Sequence, residues 1–198
     1  EMLKGAFGSR LSVTETLTRA VPLMLTGLAA AVAFRARLWN IGGEGQFYIG
    51  ALVAAGLGHD LVSGLPVPLA IAVLMLASMA AGAALLVGPA LMRLRFGIDE
   101  VVTTLLLNFI VLLFVGLMVE GPLKDPMAFG WPQSVPVASG LRLPDLVPRS
   151  RLHVGLILAL VVAALVWLLQ ARTVFGARTR AAGLNPRAAA FAGVPLTA

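Results

Sequence analysis

Long apolar runs, not alternating apolar and polar positions, dominate this chain. Four of them, roughly residues 14–34, 67–91, 99–119 and 153–171, reach the length of about 20 mostly apolar residues that a helix needs to cross a bilayer. A fifth, from about 45 to 62, is weaker. Gly56, Gly58, His59 and Asp60 interrupt it, and it opens on "LWNIGGEGQFYIGAL", residues 38–52. A short glycine-broken segment among full-length spans is tolerated where irregular backbone lines a cavity. The pattern therefore predicts an all-α polytopic transmembrane helix bundle with one discontinuous or Gly-broken helix.

Between and within the runs, individual residues refine this picture. Small residues recur at four-residue spacing, as in Ala51 and Ala55, Ser78 and Gly82, Ala80 and Ala84, and such ridges let membrane helices approach closely. Pro22 lies well inside the first span, where its missing donor should kink or loosen the helix. Asp99 can cap the span that follows it, and Glu100 suits the positive end of that helix. Residues 120–152 hold six of the twelve prolines (Pro122, Pro126, Pro132, Pro136, Pro144 and Pro148), a density that denies a helix and predicts an extended loop. The tail, residues 172–194, carries Arg172, Arg178, Arg180 and Arg187 and no acid.

Composition fixes the class. The chain is 59% hydrophobic and 12% charged, more apolar than one soluble core of 198 residues can hide. Its net charge of +6 falls between apolar runs, on membrane flanks and loops, so a lipid bilayer is the expected partner and nucleic acid is not. With no cysteine, thiolate metal sites, disulfides and cysteine nucleophiles are excluded. The chain starts at Glu1 without a cleavable signal pattern, and the expectation is a fragment of a single transmembrane domain.

Basic residues favour the cytoplasmic side. An inside tail puts the 120–152 loop outside, Arg93 and Arg95 inside, the 58–66 turn outside, and Arg35 and Arg37 inside, which is self-consistent although Lys124, Arg142, Arg149 and Arg151 remain in the outer loop.

Several polar residues then need an explanation. Glu44 at bilayer depth would cost about 2.5–3.5 kcal/mol facing lipid, so it should face protein, a wet cavity or the interface. Gly42, Gly43 and Gly45 permit a sharp turn and close approach, and Asn40 can cap the helix that follows. Two readings stand: Asn40, Glu44 and Gln46 line a substrate pathway, or they form a capped turn at the inner face with Glu44 pairing with Arg35 or Arg37. Asn108, one turn beyond Thr103 and Thr104, must find a partner in the membrane, either as interhelical glue or as a ligand to cargo. Phe47, Tyr48, Phe109 and Phe114 offer stacking faces or simple packing. Asn185 and Pro186 can start a short helix that Gly193 stops, leaving Arg187 and Phe191 on a compact knob. No phosphate-binding glycine loop with lysine and no HExxH occurs, and His59 and His153 lie in separate outer segments.

Three stretches resemble one family. "PLMLTGLAAAVAFRARLWNIGGEGQFYIGA" (22–51), "GIDEVVTTLLLNFIVLLFVGLMVEGPLKDP" (97–126) and "GARTRAAGLNPRAAAFAGV" (176–194) are similar to the permease subunits of bacterial ATP-binding-cassette importers for simple sugars, branched-chain amino acids and nucleosides. The first two look like the nucleoside-uptake branch. The third resembles the cytoplasmic loop that docks on the ATPase. The resemblance implies a multi-pass protein of the bacterial cytoplasmic (inner) membrane, itself not an enzyme and without a cofactor. Its ATP would be bound by an ABC ATPase subunit, beside a second permease subunit and an extracytoplasmic substrate-binding lipoprotein or periplasmic protein. It also implies ATPase coupling through Arg178, Arg180, Asn185, Pro186, Arg187 and Phe191. The substrate pathway then comprises Asn40, Glu44, Gln46, Thr104 and Asn108. The alternatives are a sugar or branched-chain amino-acid permease, or an ion-coupled secondary transporter in which Glu44 titrates.

Overall fold

A computed structural model describes residues 2–59 and 64–194. Among these residues there are eight α-helices and no strand: α1 (Met2–Phe7), α2 (Arg10–Arg35), α3 (Gly43–His59), α4 (Val67–Phe96), α5 (Glu100–Glu120), α6 (Gly155–Arg172), α7 (Val174–Leu184) and α8 (Pro186–Phe191). Four of them, α2, α4, α5 and α6, are long and apolar enough to cross a membrane. Large apolar side chains along them face outward, Leu113 with 77% of its surface exposed, as a protein solvated by lipid rather than water requires.

Local chemistry explains where each helix begins and ends. Ser9 caps α2 by accepting from the Ser12 amide at 3.1 Å. Pro22 falls inside α2, yet the helix is unbroken from Arg10 to Arg35. Gly97, at φ 66°, ends α4 with its amide donating to the Arg93 carbonyl at 2.9 Å, and Asp99 caps α5 by accepting from the Val101 amide at 2.7 Å. Both matter, because the α4–α5 turn is only three residues long and is further held by an ion pair between Arg93 and Glu100.

The weak span is α3, and its irregular backbone lies before the helix, in residues 36–42, rather than within it. Its internal glycines are contact points. A Cβ on Gly50 would meet the Ser78 carbonyl oxygen at 3.2 Å, and one on Gly82 would meet the Gln46 carbonyl oxygen at 3.2 Å. Hence Gln46 and Gly50 of α3 mesh antiparallel with Gly82 and Ser78 of α4, a small-residue seam of the kind that packs membrane helices. Asp60 and its neighbours to residue 63 lie outside the described residues.

The described chain divides into two compact units. One runs from Asn40 to Arg142 and contains α3, α4, α5 and the first part of the proline-rich segment. At one end of it Ala70 and Leu74 pack with Leu57, Val137 and Leu141, and the Ala138 amide donates to the Gly58 carbonyl at 3.1 Å. At its other end lie the α4–α5 turn and the start of α3. The second unit joins the chain up to Trp39 with everything from Leu143. In it α2 packs on α6 and α7. Arg35 Nη1 reaches Gln170 Oε1 at 3.5 Å, so both long helices end on the same side, while Arg10 and residues 147–150 meet at the opposite end. Within each unit the ends that charge bias assigns to one side are together.

Residues 121–154 are irregular, a succession of turns and bends with one 3₁₀ turn (Ser139–Leu141) and two isolated bridges, Lys124 with Ser134 and Asp145 with His153. The expected loop of residues 120–152 therefore begins one residue later, after α5 ends at Glu120, and is built of turns and bends rather than extended chain.

Candidate functional site

Every residue of the expected substrate pathway meets at the start of α3. Asn40 Oδ1 accepts from the Gly42 amide at 2.9 Å, and its Nδ2 donates to Gln46 Oε1 at 3.2 Å. This ties the lead-in strand of backbone to the second turn of the helix. Asn40 thus shapes the approach to α3, while α5 holds one amide of that approach and one first-turn amide of the helix itself. The Ile41 amide donates to Thr104 Oγ1 at 3.2 Å, and the Gly45 amide donates to Asn108 Oδ1. Thr104 passes its own proton to the Glu100 carbonyl at 2.6 Å, which leaves its oxygen lone pairs for Ile41.

Asn108 uses both ends of its amide, because Nδ2 donates to Glu44 Oε2 at 3.3 Å. Glu44 stands in the first turn of α3, where the positive end of the helix dipole favours a carboxylate. Thr104 and Asn108 are buried, Asn40 and Gln46 half-buried and Glu44 exposed. Two glycines make the approach possible. A Cβ on Gly42 would lie 3.2 Å from the Thr104 carbonyl oxygen, and one on Gly45 would lie 2.8 Å from Asn108 Oδ1 and 3.3 Å from Asn108 Cα. Gly43, by contrast, faces open space.

Beside the network lies a small pocket of about 10 Å³, lined by the polar Asn40, Gln46, Thr104 and Asn108 and by the apolar Leu85, Leu86, Pro89 and Leu107. That is room for about one water molecule with several polar partners. Pro89 and the two leucines of α4 were not singled out by the sequence reading, although a proline inside an apolar span was a usable signal. Phe47 and Tyr48 make an edge-on pair with centroids 5.9 Å apart, and Phe109 and Phe114 are exposed. None of the four aromatics lines the cavity.

The basic tail forms two helices where one short helix was expected. Thr173 caps α7, its Oγ1 accepting from the Gly176 amide at 3.4 Å and donating to the Leu169 carbonyl at 2.6 Å. Asn185 ends α7 and begins α8: its amide donates to the Ala181 carbonyl at 3.1 Å, and its Oδ1 accepts from the Ala188 amide at 3.1 Å. Pro186 occupies the first position of α8, where its missing donor costs nothing. Gly193, at φ 79°, stops the helix as expected. Arg178, Arg180 and Arg187 are exposed, and Phe191 is 97% exposed.

Comparison with known proteins gives this arrangement a context. The sequence pattern of the family described as branched-chain amino acid transport system, permease component, matches residues 12–198. The chain is 33% identical to the guanosine ABC transporter permease protein NupP of Bacillus subtilis, over 96% of this chain and 54% of that protein. It is 32% identical to the glucose ABC transporter permease protein TsgB13 of Haloferax volcanii, over 94% of this chain and 51% of the relative. It is 29% identical to the nucleoside ABC transporter permease protein NupB of Lactococcus lactis, over 98% and 55%. The chain spans about half the length of these relatives. No solved structure matches it significantly. With its four membrane-length helices and a family pattern that runs from residue 12 to residue 198, the chain belongs to the family of permease components of branched-chain amino acid transport systems.

Proposed function

We propose that this chain is the membrane-spanning part of a permease subunit in an ATP-driven importer of nucleosides, in a bacterial cytoplasmic membrane. The observation that carries the cargo assignment is the likeness, over nearly the whole chain, to permeases named for guanosine and for nucleosides. The glucose permease at 32% identity supports a sugar as the second reading. ATP would be bound by a separate ATPase subunit, a second permease subunit would complete the path, and an extracytoplasmic binding protein would deliver the cargo.

In this reading the α3–α5 network is a closed latch at the inner end of the path. The one-water cavity cannot hold a nucleoside. Contact between cargo and the buried Thr104 or Asn108 therefore requires α3 to leave α5, breaking the bonds of Ile41 to Thr104 and of Gly45 and Glu44 to Asn108. Three such bonds at about 0.5–1.5 kcal/mol each sum to a few kcal/mol, the scale of gap that separates two packings of a switchable bundle.

The test is competition uptake by the full-length protein with its ATPase and binding protein. Purine and pyrimidine nucleosides should compete, and glucose, ribose and branched-chain amino acids should not. Failure of every nucleoside to compete refutes the cargo assignment. Uptake driven by a pH gradient without the ATPase would refute the ATP-driven mechanism.

A further inference from the structure

Two glycines of the tail make backbone contacts that no docking role requires. A Cβ on Gly183, near the end of α7, would collide with the Arg35 carbonyl oxygen and lie 3.2 Å from the carbonyl carbons of Arg35 and Ala36, the last turn of α2. A Cβ on Gly176, in the first turn of α7, would collide with the Gln170 carbonyl oxygen at the end of α6. Both glycines are buried, whereas the arginines between them are exposed. Arg35 Nη1 and Gln170 Oε1, 3.5 Å apart, connect the two helix ends that α7 spans.

We propose that Gly183 is the positioning residue that transmits force from the tail to α2, a deepening of the importer reading on which it rests. The mechanical path is short. Phe191 and Arg187 project from α8. Asn185 ties α8 to α7 with a bond into each helix, and two residues before that corner Gly183 touches the α2 backbone directly. Backbone against backbone leaves no flexible side chain to absorb a displacement, and close-packed contacts of this kind transmit strain. An exposed carbonyl-rich helix end also offers a firm seat, because only a residue without Cβ can reach it. Displacement of the α8 knob is thereby delivered to the last turn of α2, and the α6 end at Gly176 serves as the fulcrum.

The experiment uses the full-length permease reconstituted with its ATPase and binding protein. Gly183→Ala should keep the ATPase subunit through purification and keep hydrolysing ATP, while uptake per ATP falls on the order of tenfold. Arg187→Ala with Phe191→Ala should instead lose the ATPase subunit. Uptake by Gly183→Ala within twofold of the parent overturns the proposal, as does loss of the ATPase from Gly183→Ala alone, which would make the glycine part of the docking shape. If Gly183→Ala fails to assemble, hydrogen exchange of the unaltered complex decides. On trapping with a non-hydrolysable nucleotide, amides 34–38 should change protection together with those of α7, and a change in α7 alone overturns the lever. Absence of ATP-dependent uptake by the parent protein would sink the importer reading itself, a separate outcome.

Discussion

Gly43 and Gly45 stand two residues apart in one turn of α3, yet alanine at the two positions should shift stability in opposite directions. Gly43 faces open space, so alanine there removes backbone freedom at no steric cost and should stabilise by up to about 1 kcal/mol. Gly45 lies against Asn108, and an added Cβ 2.8 Å from an oxygen that the Gly45 amide itself holds should cost about 1–3 kcal/mol by overpacking. Chemical denaturation in detergent micelles measures both, and equal effects would contradict the close approach. The same measurement separates Asn108 from Thr104. Asn108→Ala orphans the buried Gly45 donor and frees Glu44, a loss of about 1–3 kcal/mol, more than the average of about 0.6 for an interhelical bond in a membrane bundle. Thr104→Val orphans only Ile41, an exposed residue whose amide water can reach, and should cost less than about 1 kcal/mol. The opposite ranking would show that Thr104 holds the latch. The need for a partner at Asn108 was legible in the sequence, because an amide inside an apolar run must be satisfied. The identity of that partner, 63 residues away, was not, since no periodicity links the two positions.

At the scale of helices, the elements most legible in the sequence are those that carry their own stop and start signals. Asp99 caps α5 and Gly97 ends α4 as the residue types dictate, and Asn185, Pro186 and Gly193 bound α8 in the same way. Asp99→Ala should therefore cost about 1 kcal/mol and loosen the three-residue α4–α5 turn, which hydrogen exchange at the Val101 amide would register as faster opening. Unchanged exchange there would mean that the Arg93–Glu100 pair alone holds the turn. α3 was harder to read because its stability is borrowed. Its Gly45 amide is held by Asn108 of α5, Gly50 seats on the α4 backbone and Gly58 on Val137 and Leu74, so its own sequence looks like a broken span. The Ser78 and Gly82 ridge was visible as a spacing, but its mate, Gln46 with Gly50, includes a polar residue whose carbonyl rather than side chain makes the contact. α7 went unread for a related reason, as its seats are carbonyl oxygens on α2 and α6 that belong to no residue type.

For the whole molecule, the charge bias predicts a direction through the membrane, and within each unit the ends it assigns to one side lie together. In the Asn40–Arg142 unit the α3 start and the α4–α5 turn share one end, and Gly58 and Ala138 share the other. In the second unit Arg35 and Gln170 share the tail's end. Packing alone is indifferent to which end faces the cytoplasm, and only Arg and Lys placement breaks that symmetry. The division into two units was not legible, because the boundary at Arg142 falls within a proline-rich segment where neither helical nor strand periodicity exists to mark it. The direction is testable by cysteine labelling, since these 198 residues hold no cysteine and the unsubstituted full-length protein supplies the background. Trp131, 76% exposed in the irregular proline-rich segment, and Phe191, 97% exposed on α8, can each be replaced by cysteine in the full-length protein. Trp131→Cys should react with a membrane-impermeant maleimide in intact cells, and Phe191→Cys only after the membrane is permeabilised. Labelling of Phe191→Cys from outside would reverse the orientation and place α8 where no ATPase could reach it. The latch at the start of α3 would then guard the outer rather than the inner end of the path.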